Sequence, residues 1–442
     1  MKSSEVLKLS LIKFAHASDI HLGTTFSRIS KTEDRDIRQK LKNATFLAYD
    51  NLVSKCIEHK VDALILSGDI FELSDRNYLA QRKFKQGIEK LDSSGIKVFA
   101  CRGNHDPLDG WDPKLPMPDN YKLFGPAAES FPVFEDRPET VVVHGISYPT
   151  RVVEDNLVLK FSKPSERAFN IGVLHANVGN NSEHDPYSPC SISDLTDTGY
   201  DYWALGHIHK RQVLKVSNPT IVYSGNTQSR HRNETGEKGF YIVDVNENKE
   251  INMNFEPIDV VRCVDLVVNI EGLQSVHDLE MKINELVTDQ LTKSSLRDLV
   301  LNIVISGSGI LHDEIIKGNI EREIILHLIK ENWGDHKIPF VLCGNIEIKT
   351  NPQLDREKWK ENEDFWGYFF REIDEWKNNP EIQGKFIEKF DEELSQKKSP
   401  FPFKKFLRDS FLKNLNIEEL IDHAEKMSVS ELMRGDLFHH ED

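Results

Sequence analysis

The sequence has no run of 18 or more apolar residues, so it offers no candidate for a membrane-spanning helix. Its opening, MKSSEVLKLSLIKF, lacks an apolar stretch followed by a small-residue cleavage site, which argues against secretion. Cysteine is scarce: Cys56, Cys101, Cys190, Cys263 and Cys343 lie far apart, and none forms a C-x-x-C pair. That spacing excludes a zinc knuckle and points to reduced thiols in the cytoplasm. With 24 Gly and 18 Pro in 442 residues, the chain is neither low in complexity nor collagen-like. No internal repeat is visible, and no G-x-x-x-x-G-K-[ST] stretch exists, so the sequence carries no P-loop of its own. A basic excess is missing too. Asp and Glu number 72 against 56 Lys and Arg, a formal net charge of −16. A protein that gripped nucleic acid unaided would normally show the opposite sign, because phosphate neutralisation dominates such binding. A polyanionic substrate therefore requires metal ions or a partner to supply attraction.

At roughly 150 residues per domain, the length allows two or three domains. Residues 1–258 read as alternating strands and helices. Strands are expected at 11–18, 62–69, 96–106, 141–147, 169–175 and 200–207. Helices are expected at 36–59, where Ile37, Leu41, Ala44, Ala48, Leu52 and Ile57 recur at helical spacing, and at 77–92. The short segments RQVLKV, TIVYSG and GFYIVDV follow, separated by turn residues. The pattern predicts a mixed, layered α/β sandwich in place of a purely parallel sheet. Residues 259–349 read as a small α/β cap, with strands at 264–270, 299–305 and 339–348 and helices at 275–291 and 313–332. GSG at 307–309 reads as a turn. From 350 to 442 the sequence is polar with helical period, broken by KKSPFP at 397–402. This last part carries 22 acidic against 15 basic residues, nearly half of the net negative charge.

Strand after strand in the first part ends in a metal-ligand type. The first runs into Asp19-Ile20-His21, the second into Gly68-Asp69 and the third into Gly103-Asn104-His105-Asp106. Later strands end at His175 and at Gly206-His207-Ile208-His209. Carboxyl ends of successive strands converge on one crevice in an open α/β sheet. Carboxylate, imidazole and amide oxygen without thiolate suit Mn²⁺, Fe²⁺ or Zn²⁺. So many donors fit two ions sharing a bridging carboxylate, with Asp69 the natural bridge, and such a pair suits phosphoester hydrolysis. Each motif alone is weak; five in order, each after an apolar strand, form a strong signal.

The pattern DxH…GD…GNHD…H…GHxH is similar to the calcineurin-like metallophosphoesterase superfamily. ASDIHLG (17–23), ALILSGDIFE (63–72), YDYWALGHIH (200–209) and YSGNTQSRHRNETGEKGFYIVDV (223–245) resemble its SbcD/YhaO branch of DNA repair exonucleases. HDPYSPCSISDL (184–195) resembles the YhaO-like subgroup, although a role for His184 does not follow from it. The resemblance covers residues 13–250. It implies a layered α/β/α metallophosphoesterase sandwich, with the small α/β cap and a helical C-terminal region beyond it. One metal would be held by Asp19, His21, Asp69 and His209, the other by Asp69, Asn104, His175 and His207, with Mn²⁺ the expected ion. His105 would touch the scissile phosphate and help the leaving oxygen depart, a task suited to an imidazole of ordinary pKa near 6.5. The branch departs from its archaeal and eukaryotic relatives at Glu72, where they carry a His that helps exonuclease action. A carboxylate there repels phosphate unless it is protonated or paired.

Arg230 and Arg232, after the GNTQ turn, are candidate phosphate or DNA contacts, against the alternative of plain solvated residues. His16 reads as core or as support for a ligand, and His144 as a structural histidine. The tail aromatics Trp359, Phe365, Trp366, Tyr368, Phe369, Phe370 and Trp376 form either a local core or a partner-binding face. The resemblance implies docking of the 350–442 region on an SMC-like ATPase of the SbcC/YhaN type, and a homodimer formed through helices flanking the active site. The reading is a two-metal DNA exonuclease with endonuclease activity, acting in DNA end processing. The alternatives are a metallophosphatase or cyclic-nucleotide phosphodiesterase with a small substrate, and a non-catalytic scaffold.

Overall fold

The computed structural model describes residues 10–26, 34–72, 77–112, 114–179, 187–316, 322–334, 337–353, 356–385, 388–389 and 417–434. His184 and the KKSPFP break lie outside the described residues. The chain divides into two compact units, one of Met1–Leu266, Asn284–Ile303 and Arg322–Glu347, the other of Val267–Ile283, Val304–Glu321 and Ile348–Asp442.

The first unit is built on two six-stranded sheets. Strands β1 (Ser10–Ala17), β2 (Ala63–Ser67), β3 (Lys97–Cys101) and β4 (Tyr121–Leu123) run parallel. Strands β11 (Gly239–Asn246) and β12 (Ile251–Pro257) add antiparallel beside β1, giving the order β12-β11-β1-β2-β3-β4. The second sheet has the order β5-β6-β7-β8-β10-β9. Its strands are β5 (Glu129–Pro132), β6 (Val141–Gly145), β7 (Phe169–His175), β8 (Tyr202–Gly206), β9 (Gln212–Val216) and β10 (Thr220–Tyr223). Alternation along β1 explains the layering. Ile12 and Phe14 face Phe169, Ile171, Tyr202 and Val222 in a core between the sheets. Ala15 and Ala17 face the other way, onto Leu52 and Cys56 of helix α1 (Arg35–Glu58) and Phe84 and Ile88 of helix α2 (Tyr78–Ser93). Side chains two residues apart share a face, so one strand feeds two cores. The expected layered sandwich is present, and its middle is a pair of sheets.

Helix α1 starts where Asp34 accepts hydrogen bonds from the amides of Asp36 and Ile37, satisfying two of the otherwise unpaired first-turn donors. Its first turns bury Ile37, Leu41 and Ala44 against Val261, Cys263, Val300, Phe340 and Leu342. A third sheet has the order β13-β14-β15, with β13 Val261–Asn269, β14 Asp298–Gly309 and β15 Val341–Pro352. GSG at 307–309 forms the end of β14, not a turn. The strand continues there because its partner backbone continues: the Ile270 amide donates to the Ser306 carbonyl. In the second unit, Arg356 pairs with Asp374 and Glu425, and Lys377 with Asp422 and Glu425. These pairs tie helix Phe365–Asn378 to helix Ile417–Arg434. Among the described residues no helix is long and apolar enough to cross a membrane.

The two sheets of the first unit come close together where the end of β8 passes the end of β2. A Cβ on Gly206 would lie 1.9 Å from the Ser67 carbonyl oxygen and 2.9 Å from His175 Nδ1, so only glycine fits. Gly206→Ala is therefore expected to cost about 1–3 kcal/mol, as overpacking does. Thermal unfolding beside the wild type measures it, and an unchanged midpoint would show that the sheets part freely here.

Candidate metal centre

Asp19, His21, Asp69, Asn104 and His175 are all buried, and each sits at or just past the end of a strand. The backbone turns abruptly to deliver them. Asp19 (φ 50°), His21 (φ 44°), Asp69 (φ 48°) and His207 (φ 100°) all occupy positive φ, where side chains other than glycine are strained. Between the first two strand ends, the turns brace each other. Asp19 N donates to Gly68 O at 3.1 Å, His21 N to Asp69 O at 3.0 Å and Leu22 N to Ile70 O at 2.8 Å. Asp106 ties in the third, accepting from Gly103 N at 2.7 Å and Ile70 N at 2.9 Å.

The donor atoms converge. Asp69 Oδ2 is 3.4 Å from His175 Nε2 and 3.7 Å from His21 Nε2, while Oδ1 accepts from His105 N at 2.9 Å. Asn104 Oδ1 is 3.1 Å from His175 Nε2. His21 Nε2 and His209 Nε2 stand 3.2 Å apart, and Asp19 Oδ1 is 3.9 Å from the latter. One ligand atom each from Asp19, His21 and His209 lies within 4.8 Å of the others, as do atoms of Asp19, Asp69 and His175. The His207 amide donates to Asp19 Oδ1 at 3.1 Å, and its ring lies 5.2 Å from that of His175.

Two tautomers follow from the partners. His175 Nδ1 lies 2.9 Å from the Ser67 carbonyl, which only accepts, so Nδ1 carries a proton and Nε2 is the nitrogen that would give up its own to bind a cation. His209 Nδ1 lies 2.5 Å from Glu234 Oε1, with the same outcome. Imidazole lone pairs facing each other and shared carboxylates without thiolate fit a pair of divalent cations, with Asp69 Oδ2 between the two groups.

Charge within the cluster is balanced tightly. Burial would raise Asp69, yet His175, His21 and His105 hold it well below the usual carboxylate range. Burial would lower His175, but Asp69 and Asp19 outweigh it and bring it to about 9. Asp19 is raised by its burial, and burial drives His21 well below the ordinary histidine value. His105 Nδ1 lies 2.7 Å from Glu72 Oε2 in an ion pair. Burial opposes the charged form of His105, but Glu72 and Asp69 prevail and its pKa ends raised.

The remaining sequence candidates separate. Arg230 carries its charge close enough to the cluster to disfavour protonation of both His21 and His105. Arg232 turns away, its Nη1 donating to the Gly344 carbonyl at 2.7 Å. His16 is buried between the sheets, 3.0 Å from the Tyr202 hydroxyl, and His144 lies between Ser130 and Asn170. One residue in contact with the cluster carries no clear mark in the sequence. Glu234 supports His209, and its only signal is an acidic residue in the RHRNETGEKGF stretch. Glu72 is paired with His105, so its charge is compensated and not a bare repulsion.

Residues 12–211, which hold all five strand-end motifs, match the family model for calcineurin-like phosphoesterases. An uncharacterized metallophosphoesterase of Bacillus subtilis, YhaO, is 33% identical over 303 residues, 68% of this chain and 73% of the relative. The DNA double-strand break repair protein Mre11 of Methanocaldococcus jannaschii is 26% identical over 372 residues, 79% of this chain and 96% of the relative. The SbcD component of the Bacillus subtilis nuclease SbcCD is 24% identical over 277 residues, 54% of this chain and 68% of the relative. Strand-end donors, the balance of charge among them and these likenesses agree: the chain belongs to the calcineurin-like metallophosphoesterases and is a metal-dependent hydrolase.

Proposed function

We propose that the chain is a two-metal DNA phosphodiesterase, an exonuclease with endonuclease activity that trims DNA ends for repair in the cytoplasm together with an SbcC/YhaN-type ATPase. The observation that carries this reading is the buried donor cluster with the His105–Glu72 pair beside it. The likeness to a double-strand break repair protein over 96% of that relative's length supports the choice of DNA. In this reading Asp19, His21, Asp69 and His209 hold one ion, and Asp69, Asn104, His175 and His207 the other. Mn²⁺ suits this hard and borderline donor set. When bound, such a pair activates water and stabilises charge on the phosphate.

The chain's own residues do the rest. Glu72 holds His105 at Nδ1, which leaves Nε2 to give its proton to the departing oxygen. Because Glu72 favours the protonated ring, His105 is charged over a wider range above pH 6.5 than a free histidine. Arg230 contributes positive charge on the same side of the cluster, where a phosphodiester would lie. A poor leaving group such as a sugar hydroxyl needs this proton far more than a nitrophenolate does.

Grip and partnership follow from the surfaces. With a net charge of −16 the chain neutralises few phosphates, so the ATPase supplies hold on long DNA. Helix Phe365–Asn378 leaves Phe365 48%, Tyr368 64% and Trp376 39% exposed, while Phe370 is buried, so one face is open to docking. On α1 and α2, Leu47, Tyr78 and Leu79 are exposed beside Phe46, a patch suited to the homodimer. The five cysteines of the sequence are free and buried, as suits a reducing compartment.

Purified protein supplied with Mn²⁺ is expected to cut a labelled DNA duplex and bis-p-nitrophenyl phosphate, and to lose both activities on chelation. Hydrolysis of phosphomonoesters with inert DNA would favour the small-substrate phosphatase. His105→Ala is expected to keep both ions and lose about 100- to 10,000-fold in DNA turnover, whereas Asp69→Ala loses metal; elemental analysis with kinetics separates the two. Glu72→Gln removes the charge that raises His105, so the alkaline limb of the pH–rate profile should move to lower pH, and an unmoved limb would remove the pair from catalysis. Changing Phe365, Tyr368 and Trp376 together to Ala should abolish ATPase binding in sedimentation while bis-p-nitrophenyl phosphate hydrolysis continues. Full ATPase binding would return these aromatics to ordinary packing.

A further inference from the structure

The stretch GNTQSRHRNETGEKG, from Gly225 to Gly239, links β10 to β11 and is organised around one carboxylate. The Glu234 side chain is 8% exposed. Its Oε1 lies 2.5 Å from His209 Nδ1 and 3.6 Å from His231 Nε2. Its Oε2 accepts from the Arg230 amide at 2.5 Å and from Asn226 Nδ2 at 3.1 Å. Both oxygens are acceptors, and they point in different directions. Burial would raise this carboxyl, but the His209 contact outweighs it and holds it at about 2.

We propose that Glu234 is the positioning residue that turns His209 into a metal ligand and, through its second oxygen, sets the backbone from which Arg230 faces the reacting phosphate. Oε1 keeps the His209 proton on Nδ1, so the Nε2 lone pair faces His21 Nε2 and Asp19. Oε2 anchors the turn that carries Arg230. A glutamine cannot do both. If its oxygen faces His209, its NH₂ meets the N–H groups of Arg230 and Asn226. If its oxygen faces the turn, its NH₂ meets Nδ1, the proton moves to Nε2, and that nitrogen can no longer bind a cation. Aspartate keeps two accepting oxygens on a shorter arm. The ion served by His209 should therefore depend on Glu234, and the ion served by His175 should not, because His175 takes its tautomer from Ser67. This inference rests on the ligand assignment for His209 in the proposed function.

The test is Mn²⁺ binding by the full chain, followed by titration calorimetry and elemental analysis for the wild type, Glu234→Gln, Glu234→Asp, His209→Ala and the Glu234→Gln/His209→Ala double variant. In Glu234→Gln one ion should bind as in the wild type and the other about 10- to 100-fold more weakly, with Glu234→Asp recovering part of the loss. In the His209→Ala background, Glu234→Gln should weaken binding no further. Equal weakening of both ions, additive losses in the double variant, or unchanged binding in Glu234→Gln would each overturn the proposal. Circular dichroism of every variant without Mn²⁺ checks the fold, and Glu234→Asp carries the test if Glu234→Gln does not fold. A wild-type chain that binds two ions but leaves DNA intact would sink the nuclease reading alone.

Discussion

One hydrogen bond joins the two sheets at the point where the chemistry gathers. The His175 ring, at the end of β7, donates from Nδ1 to the carbonyl of Ser67, the last residue of β2. Ser67 is two residues from Asp69, so the bond fixes the central carboxylate relative to the histidine that faces it. The same bond decides which ring nitrogen is left to bind a cation. It forms inside a core, where an unpaired carbonyl or imidazole N–H would be costly, so neither partner has a cheap alternative. The absence of a side chain at Gly206 is the steric condition for this approach. Layers, register and cluster all meet in that contact.

The cluster carries backbone strain, and the surroundings absorb it. Four candidate ligands at positive φ cost of order 1–3 kcal/mol each. The amide-to-carbonyl bonds between the turn after β1 and the turn after β2 return part of that cost. Asp106 adds a clamp from behind, with Arg102 as its counterion at 3.4 Å. Groups held this firmly do not have to reorganise when substrate arrives, which is how a site reaches useful geometry before the reaction starts.

Much of this is legible in the sequence because the signals are local. Each candidate ligand follows its own apolar strand within a few residues, and helical spacing at Ile37, Leu41 and Ala44 marks α1 without reference to anything distant. What stays hidden depends on contacts between remote segments. Glu72 reads as an isolated charge until the third strand's loop brings His105 to it. Arg230 and Arg232 are indistinguishable as text, yet the charge of one lies near the cluster and the other reaches β15. Strands β4 and β5 also escape detection, being short and largely exposed without a clean alternation of apolar residues, and β12 escapes although Ile251, Met253 and Phe255 alternate with asparagine and glutamate. GSG at 307–309 reads as a turn by its glycines, whereas the neighbouring backbone decides that it belongs to a strand.

The order of the first sheet has a bearing on how the chain is made. Strand β1 sits between β2 and β11, so its two edges are covered by segments that leave the ribosome at very different times. Once α1 and β2 have emerged, one side of β1 is paired, but the other waits until Asn246 has been synthesised. At ~5–20 residues per second, that gap lasts on the order of ten seconds or more, with an apolar strand edge open throughout. His209 is synthesised before β11, yet Asp19 and His21 hang from a strand whose second partner is still to come. Nascent chains that stop between His209 and β11 therefore hold every candidate metal ligand and still leave one edge of β1 unpaired, which makes β11 the segment that closes that edge during translation.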